Sequence, residues 1–210
     1  PAYLMGVNVL ELRKNLLKYL RGKNKIYLKN NSIKIAKFLQ KRKIKTLIFF
    51  NYVPQLNKFL YWNQQLIAES LGKKGKGFLP IISPAPKDHH SLLQLYLDGP
   101  EDKFFYVFSN DINNKKKLNT NILGSKINFL NNKSLSQIKS AQKNAFLQSL
   151  KKKRIPFREF KIKDFSAKVL GELFSYFILE TIIVGKLTNI DPFNQPAVEQ
   201  VKIDTKRILS

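Results

Sequence analysis

The sequence predicts an α/β fold: a doubly wound, mainly parallel sheet flanked by helices, with helical segments at both ends of the chain. Three observations carry this. Continuous apolar runs, above all Thr46-Leu47-Ile48-Phe49-Phe50 and Phe104-Phe105-Tyr106-Val107-Phe108, read as strands buried on both faces. Stretches with apolar residues at helical spacing alternate with those runs. A 43% hydrophobic fraction over 210 residues suffices for a real core and argues against a disordered polycation.

Val9, Leu12, Leu16 and Tyr19 predict an amphipathic helix over about 7–20. Residues 22–31 read as a polar turn region around Ile26-Tyr27-Leu28. Ile33, Ala36 and Leu39 give a second short helix, closed by Lys41-Arg42-Lys43, because cations suit a helix C-terminus. The first strand follows at 46–50, then a helix to about Ser70, then Gly72, Gly75 and Gly77. Residues 78–82 are the second strand candidate, 91–97 a short helix and 104–108 the third strand. Residues 111–120 read as an exposed, Lys-rich loop. Ser134 with Gln137 three residues on is a capping-box pattern, and Leu135, Ile138, Ala141 and Ala145 keep one apolar face behind it. Lys151-Lys152-Lys153-Arg154 ends that helix, and 155–162 supplies a strand. A helix over 166–186, apolar almost all round, is expected to be buried, and a last one spans 196–209. We divide the chain into a helical lead-in, 1–44, and a domain, 45–210.

Lys+Arg total 38 and Asp+Glu 14, so the net charge is 38 − 14 = +24. Only Arg13, Arg21, Arg42, Arg154, Arg158 and Arg207 are arginine, the residue that bidentate nucleic-acid contacts favour. Abundant Lys and Asn fit the coding bias of an AT-rich genome, and a surface selected for polyanions is the alternative. The absence of Cys removes disulfides, zinc fingers, iron–sulfur clusters and thiol catalysis. With both histidines in one dipeptide, a His-built metal site is not expected. The chain begins at Pro1, so we expect a processed product or a fragment. Residues 4–12 are too short and too broken by Asn8 and Glu11 for a signal peptide, and 169–184 carry Glu172 and Glu180, so no membrane span is expected. A soluble intracellular protein is the expectation.

Three segments carry chemistry. In Tyr61-Trp62-Asn63-Gln64-Gln65-Leu66-Ile67-Ala68-Glu69, Gln65 and Glu69 are four apart and share a helix face. Glu69 sits in the last turn, where the dipole disfavours a carboxylate. It is either a base facing a cleft or a solvated helix-end glutamate. His89 and His90 sit where a helix begins, with Asp88 and Ser91 able to cap it; they read as proton-exchanging imidazoles or as surface histidines. Gln195 and Lys202 are two turns apart on nearly one face, Pro196 fits the first turn, and Glu199 is close enough simply to pair with Lys202.

At these residues the chain resembles the glucose-6-phosphate isomerase family. Ala68-Glu69-Ser70-Leu71-Gly72-Lys73, His90-Ser91-Leu92-Leu93-Gln94 and Phe193-Asn194-Gln195-Pro196-Ala197-Val198-Glu199-Gln200-Val201-Lys202 look like three of its segments, in the family's order. Asn194 stands where the family usually has Asp. The resemblance covers only the C-terminal part of the enzyme. The first sugar-isomerase (SIS) domain, with its phosphate-holding Ser/Thr-rich loop, has no counterpart here.

The resemblance implies a SIS-type fold for 45–210 and interconversion of glucose 6-phosphate and fructose 6-phosphate through a cis-enediol. It implies that Glu69 is the C1/C2 base, that His90 assists ring opening and that Lys202 lies near the ring oxygen. Gln65 and Gln195 position the sugar phosphate, and no metal or organic cofactor is needed. It further implies a cytoplasmic homodimer in which His90 serves the neighbouring subunit's site, and a fragment inactive alone. Its partners are then a sugar phosphate, with no nucleic acid and no membrane. Two alternatives stand beside it: a non-catalytic sugar-phosphate-binding SIS module, which would not need Glu69 and Lys202 together, and a Lys-rich polyanion binder, which would expose its aromatics.

Overall fold

The computed structural model describes residues 1–110, 116–120 and 125–210. Its centre is four parallel strands, β1 (Thr46–Asn51), β2 (Leu79–Pro84), β3 (Lys103–Asn110) and β4 (Phe157–Ile162), in the order β2-β1-β3-β4. The predicted α/β class is the one observed. The chain winds from β1 to one side and then crosses β1 to build the other. The carboxyl ends of β1 and β3 therefore form the point where the winding reverses.

Strand side chains alternate between faces, which sorts the aromatic runs into two cores. Leu47, Phe49, Phe104, Tyr106 and Phe108 meet α2 (Gly22–Lys41), α3 (Asn57–Leu71) and α7 (Ala167–Leu187) on one face. Ile48, Phe50, Phe105 and Val107 meet α5 (Leu93–Asp98) and α6 (Leu135–Lys152) on the other. Between β2 and α5 lies the five-residue helix α4 (Lys87–Ser91), and α8 (Pro196–Leu209) ends the chain. Among the described residues, no helix is long and apolar enough to cross a membrane.

Several local expectations hold in detail. Ser134 caps α6 through its hydroxyl and receives the reciprocal Gln137 contact, a complete capping box. Ser166 caps α7, and Pro196 occupies the first turn of α8. Others are corrected. The helix expected over 7–20 is only α1 (Val9–Arg13), followed by turns and a 3-10 turn at Lys18–Leu20. The Leu16 carbonyl in that stretch is taken by the Ser175 hydroxyl of α7 instead of a helical N–H. α1 lies so close to α7 that a Cβ at Gly171 would meet the Leu12 carbonyl oxygen at 1.8 Å. The supposed turn region 22–31 is instead the first half of α2, whose buried Leu28, Ser32, Ile35, Ala36 and Leu39 form one helical stripe through Lys and Asn. The helix expected over 91–97 is α5, shifted to Leu93–Asp98, and the separate short helix α4 precedes it. Half of the polar loop expected over 111–120, residues 111–115, lies outside the described residues.

One buried polar cluster ties β3, β4 and α7 together. Glu180 accepts hydrogen bonds from Tyr106 (2.8 Å), Tyr176 (2.8 Å) and Arg158 (2.5 Å). Burial first, and then the Glu180 charge, push the Tyr176 phenol upward, so it stays a donor. Removing one partner of such a pair strands the other charge. Glu180→Leu is therefore expected to cost about 3–5 kcal/mol in urea unfolding, with much of it recovered when Arg158→Met is added. A loss below about 1 kcal/mol would contradict this reading of the cluster.

Candidate functional site

α3 carries Gln65 and Glu69 one turn apart, and the structure brings Gln195 to them across 126 residues of chain. Gln65 Nε2 donates to Glu69 Oε1 at 2.9 Å, and Gln195 Nε2 donates to Glu69 Oε2 at 2.8 Å. Each oxygen of the half-buried carboxylate thus has an amide donor. Those donors face a carboxylate that the helix end alone would disfavour.

The loop after α3 explains why Gln195 is there. Gly72 ends the helix, its N–H bonded to Ala68, and the backbone doubles back so tightly that a Cβ at Gly77, where φ is 131°, would come within 2.9 Å of the Gly72 Cα. Three ammonium groups of this loop reach the chain leaving α7. Lys73 donates to the Asp191 carbonyl (2.6 Å), Lys74 to that of Asn189 (3.4 Å) and Lys76 to that of Thr188 (2.8 Å). A helix C-terminus presents unpaired carbonyls and partial negative charge, so cations suit it. Beyond the clamp, the Asp191 carboxylate accepts from the Phe193 N–H (3.0 Å) and the Asn194 side-chain amide (2.9 Å). That second bond needs a donor at 194, which the Asp expected from the resemblance would not supply. The turn delivers Gln195 as the residue before Pro196 and α8.

A groove of about 520 Å³ opens over this junction, with Glu69, Lys73, Gln195 and Val198 in its lining. Pockets for small ligands run roughly 300–1,000 Å³.

Two predicted site residues are not brought to Glu69 within the chain. Lys202 pairs with Glu199 at 2.7 Å, the ordinary i,i+3 alternative, on a helix without a buried residue. Both ends of that pair are exposed, so it is worth only about 0.3–0.5 kcal/mol and yields readily to another partner. His90 is exposed on α4, which follows the carboxyl end of β2. Glu69 lies near the end of α3, which has returned to the amino end of the sheet where β2 begins. A six-residue strand spans roughly 20 Å, so the two groups sit about one sheet height apart.

The sequence reading of Asp88 as a cap is corrected. It is buried and accepts from the Ser83 hydroxyl at 2.6 Å, and α4 has no side-chain cap. His89, which spacing does not separate from His90, is half-buried with its Nε2 2.5 Å from the Tyr52 hydroxyl. Burial holds its imidazole below the usual range. Lys73 closes a segment that carries the resemblance, but no sequence pattern points to its contact, or to those of Lys74 and Lys76, with the chain after α7.

No protein-family model matches the chain. Among curated proteins, it is 36% identical to a glucose-6-phosphate isomerase of Mycoplasmopsis synoviae (strain 53), covering 78% of this chain and 39% of the relative. It is 35% identical to one from Mycoplasmopsis pulmonis (strain UAB CTIP), over 89% of this chain and 45% of the relative. A third, from Methanocaldococcus jannaschii, is 31% identical over 96% and 51%. The chain thus spans about half the length of the curated relatives it matches, or less. Among solved structures, a hypothetical protein from Thermus thermophilus superposes over 98% of this chain and 51% of its own, with a TM-score of 0.79 at 23% identity. A glucose-6-phosphate isomerase from Chlamydia trachomatis D/UW-3/Cx covers 79% of this chain and 34% of its own, with a TM-score of 0.65 at 19% identity. At these identities the two structures show the fold alone.

If the clamp holds the junction, Lys76→Met loosens it. Loss of one charge-assisted hydrogen bond, about 1.5 kcal/mol, is expected to speed amide exchange at Ile190 and Phe193 roughly ten-fold. Unchanged exchange at both would mean that the segment is held by something else.

Proposed function

The chain belongs to the glucose-6-phosphate isomerase family, and from that membership we propose that it is part of an enzyme interconverting glucose 6-phosphate and fructose 6-phosphate. In this proposal residues 45–210 form a SIS domain with 1–44 as its lead-in. The working enzyme is a cytoplasmic homodimer, and the segment lacking a counterpart here supplies the phosphate-binding loop. The observation that carries the reading is the Glu69 carboxylate held between two amides at the mouth of a groove.

The chemistry then divides among few groups. Ring opening moves a proton from the C1 hydroxyl and delivers one to the ring oxygen, a task for an imidazole, which can accept and donate; His90 of the neighbouring copy fills it. Glu69 next takes the C2 proton. The C–H electron pair becomes the C1=C2 bond as the C1 carbonyl pair moves onto O1, giving a cis-enediol(ate); the same carboxyl returns the proton to C1 as the O2–H pair forms the C2 carbonyl and the O2 proton passes to O1. Atoms and electrons balance without a co-reactant. Fixed on both oxygens, the carboxylate does not swing between solvent and substrate, which is the preorganisation that proton transfer rewards. Gln65 and Gln195 each spend one N–H on Glu69 and keep a second N–H and a carbonyl oxygen for sugar hydroxyls. Lys202 exchanges Glu199 for the oxyanion that develops beside the ring oxygen.

In the full-length enzyme carrying this segment, Glu69→Gln is expected to lower kcat by about 10²–10⁴-fold. The 210-residue stretch alone is expected to show no turnover. Equal rates for wild type and variant would remove Glu69 as the base, and turnover by the stretch alone would require a phosphate site within it.

A further inference from the structure

Asp88, His89 and His90 are consecutive in α4, and the structure treats each differently. Asp88 is buried and bonded to Ser83 of β2, whose hydroxyl also accepts from Tyr96 of α5 at 3.1 Å. His89 is half-buried, 2.5 Å from Tyr52 at the carboxyl end of β1, with its ring edge-on to Phe50 (5.3 Å) and Phe146 of α6 (5.7 Å). His90 is left exposed.

A helix of five residues is too short to hold its own direction through backbone hydrogen bonds. The direction of α4 must come from outside, and the anchors on residues 88 and 89 are what the structure offers. They reach different elements, β2 and α5 for one, β1 and α6 for the other, so together they fix rotation as well as position. The polarity of the Tyr52–His89 contact follows from its surroundings. Burial pushes the Tyr52 phenol upward and the His89 imidazole downward, so both stay neutral. Between neutral partners the phenol is the stronger donor and an imidazole nitrogen the stronger acceptor, so Tyr52 donates to Nε2 and the His89 proton sits on Nδ1. Packing alone would be served by Phe and Leu at these positions; a buried hydroxyl aimed at a ring nitrogen adds direction.

We propose that the Tyr52–His89 hydrogen bond is a positioning element for His90, setting the orientation in which α4 presents that imidazole to a sugar phosphate bound by a second copy. The inference rests on the isomerase reading above. Neither Tyr52 nor His89 touches the substrate; both act through the neighbouring residue.

The test uses the full-length enzyme with Tyr52→Phe, His89→Leu, the double variant and His89→Gln, whose side-chain oxygen reaches about as far as Nε2. Tyr52→Phe and His89→Leu each are expected to lower kcat roughly 10- to 100-fold, with KM changed less than about two-fold. The double variant should be no worse than either single one, and His89→Gln should recover most of the loss. Losses that multiply, a change in KM alone, or wild-type kcat in both single variants would overturn the proposal. If the unaltered enzyme does not isomerise, the functional reading fails on its own, and positioning is still read by NMR. Tyr52→Phe, which deletes one oxygen and keeps the ring, should lower the order of the His90 backbone and ring; unchanged order would overturn the positioning role.

Discussion

Three ammonium groups from one short loop, those of Lys73, Lys74 and Lys76, end on the carbonyl oxygens of Asp191, Asn189 and Thr188. The site depends on that contact. Glu69 and Gln195 lie 126 residues apart on elements that do not otherwise need to meet, and α8 contributes nothing to the core. A helix carboxyl end makes a natural grip for cations because its last carbonyls lack helical partners. The glycines on either side let the loop fold back far enough to use it. The Asp191 turn beyond the grip then aims Gln195, so that a backbone contact fixes where a side-chain amide meets a carboxylate.

The same reasoning gives the large positive charge a partial structural account. Arg158 is held in the Glu180 cluster and Lys143 pairs with Glu159 at 2.7 Å in a buried setting, while the loop lysines serve the clamp. Most aromatic rings meet one another inside the two cores, as the stacked Phe108 and Phe160 (5.1 Å) and the Phe50–Phe146 pair (4.4 Å) do. The aromatic content is thus mainly spent on the sheet, and single-stranded nucleic acid would need such rings at the surface.

The central strands β1 and β3 were legible because a parallel strand covered on both faces is apolar almost throughout, a pattern few other structures produce. The cap at Ser134 was legible for a similar reason: only a few side chains satisfy the orphan N–H groups of a first turn. The start of α2 was not. Its buried stripe is threaded through Lys and Asn, and composition read locally there outweighed the period. The short α1 was missed because its limit is tertiary, set by the close approach to Gly171 and the Ser175 contact. For the site, Gln65 with Glu69 followed from i,i+4 spacing, whereas the approach of Gln195 is a long-range contact that no local pattern encodes. The choice of which histidine is buried depends on the Tyr52 pocket, which spacing cannot see.

In the proposed enzyme a carboxylate at the amino end of the sheet and an imidazole at its carboxyl end must work on one substrate, which requires a site shared between two copies. Mixing inactive Glu69→Gln and His90→Ala forms of the full-length enzyme, after dissociation and reassociation, tests it directly. A hybrid dimer holds one site with both groups intact and one with neither. With half of the dimers hybrid, activity should return to about a quarter of wild type. A mixture that stays as inactive as its two components would contradict a shared site.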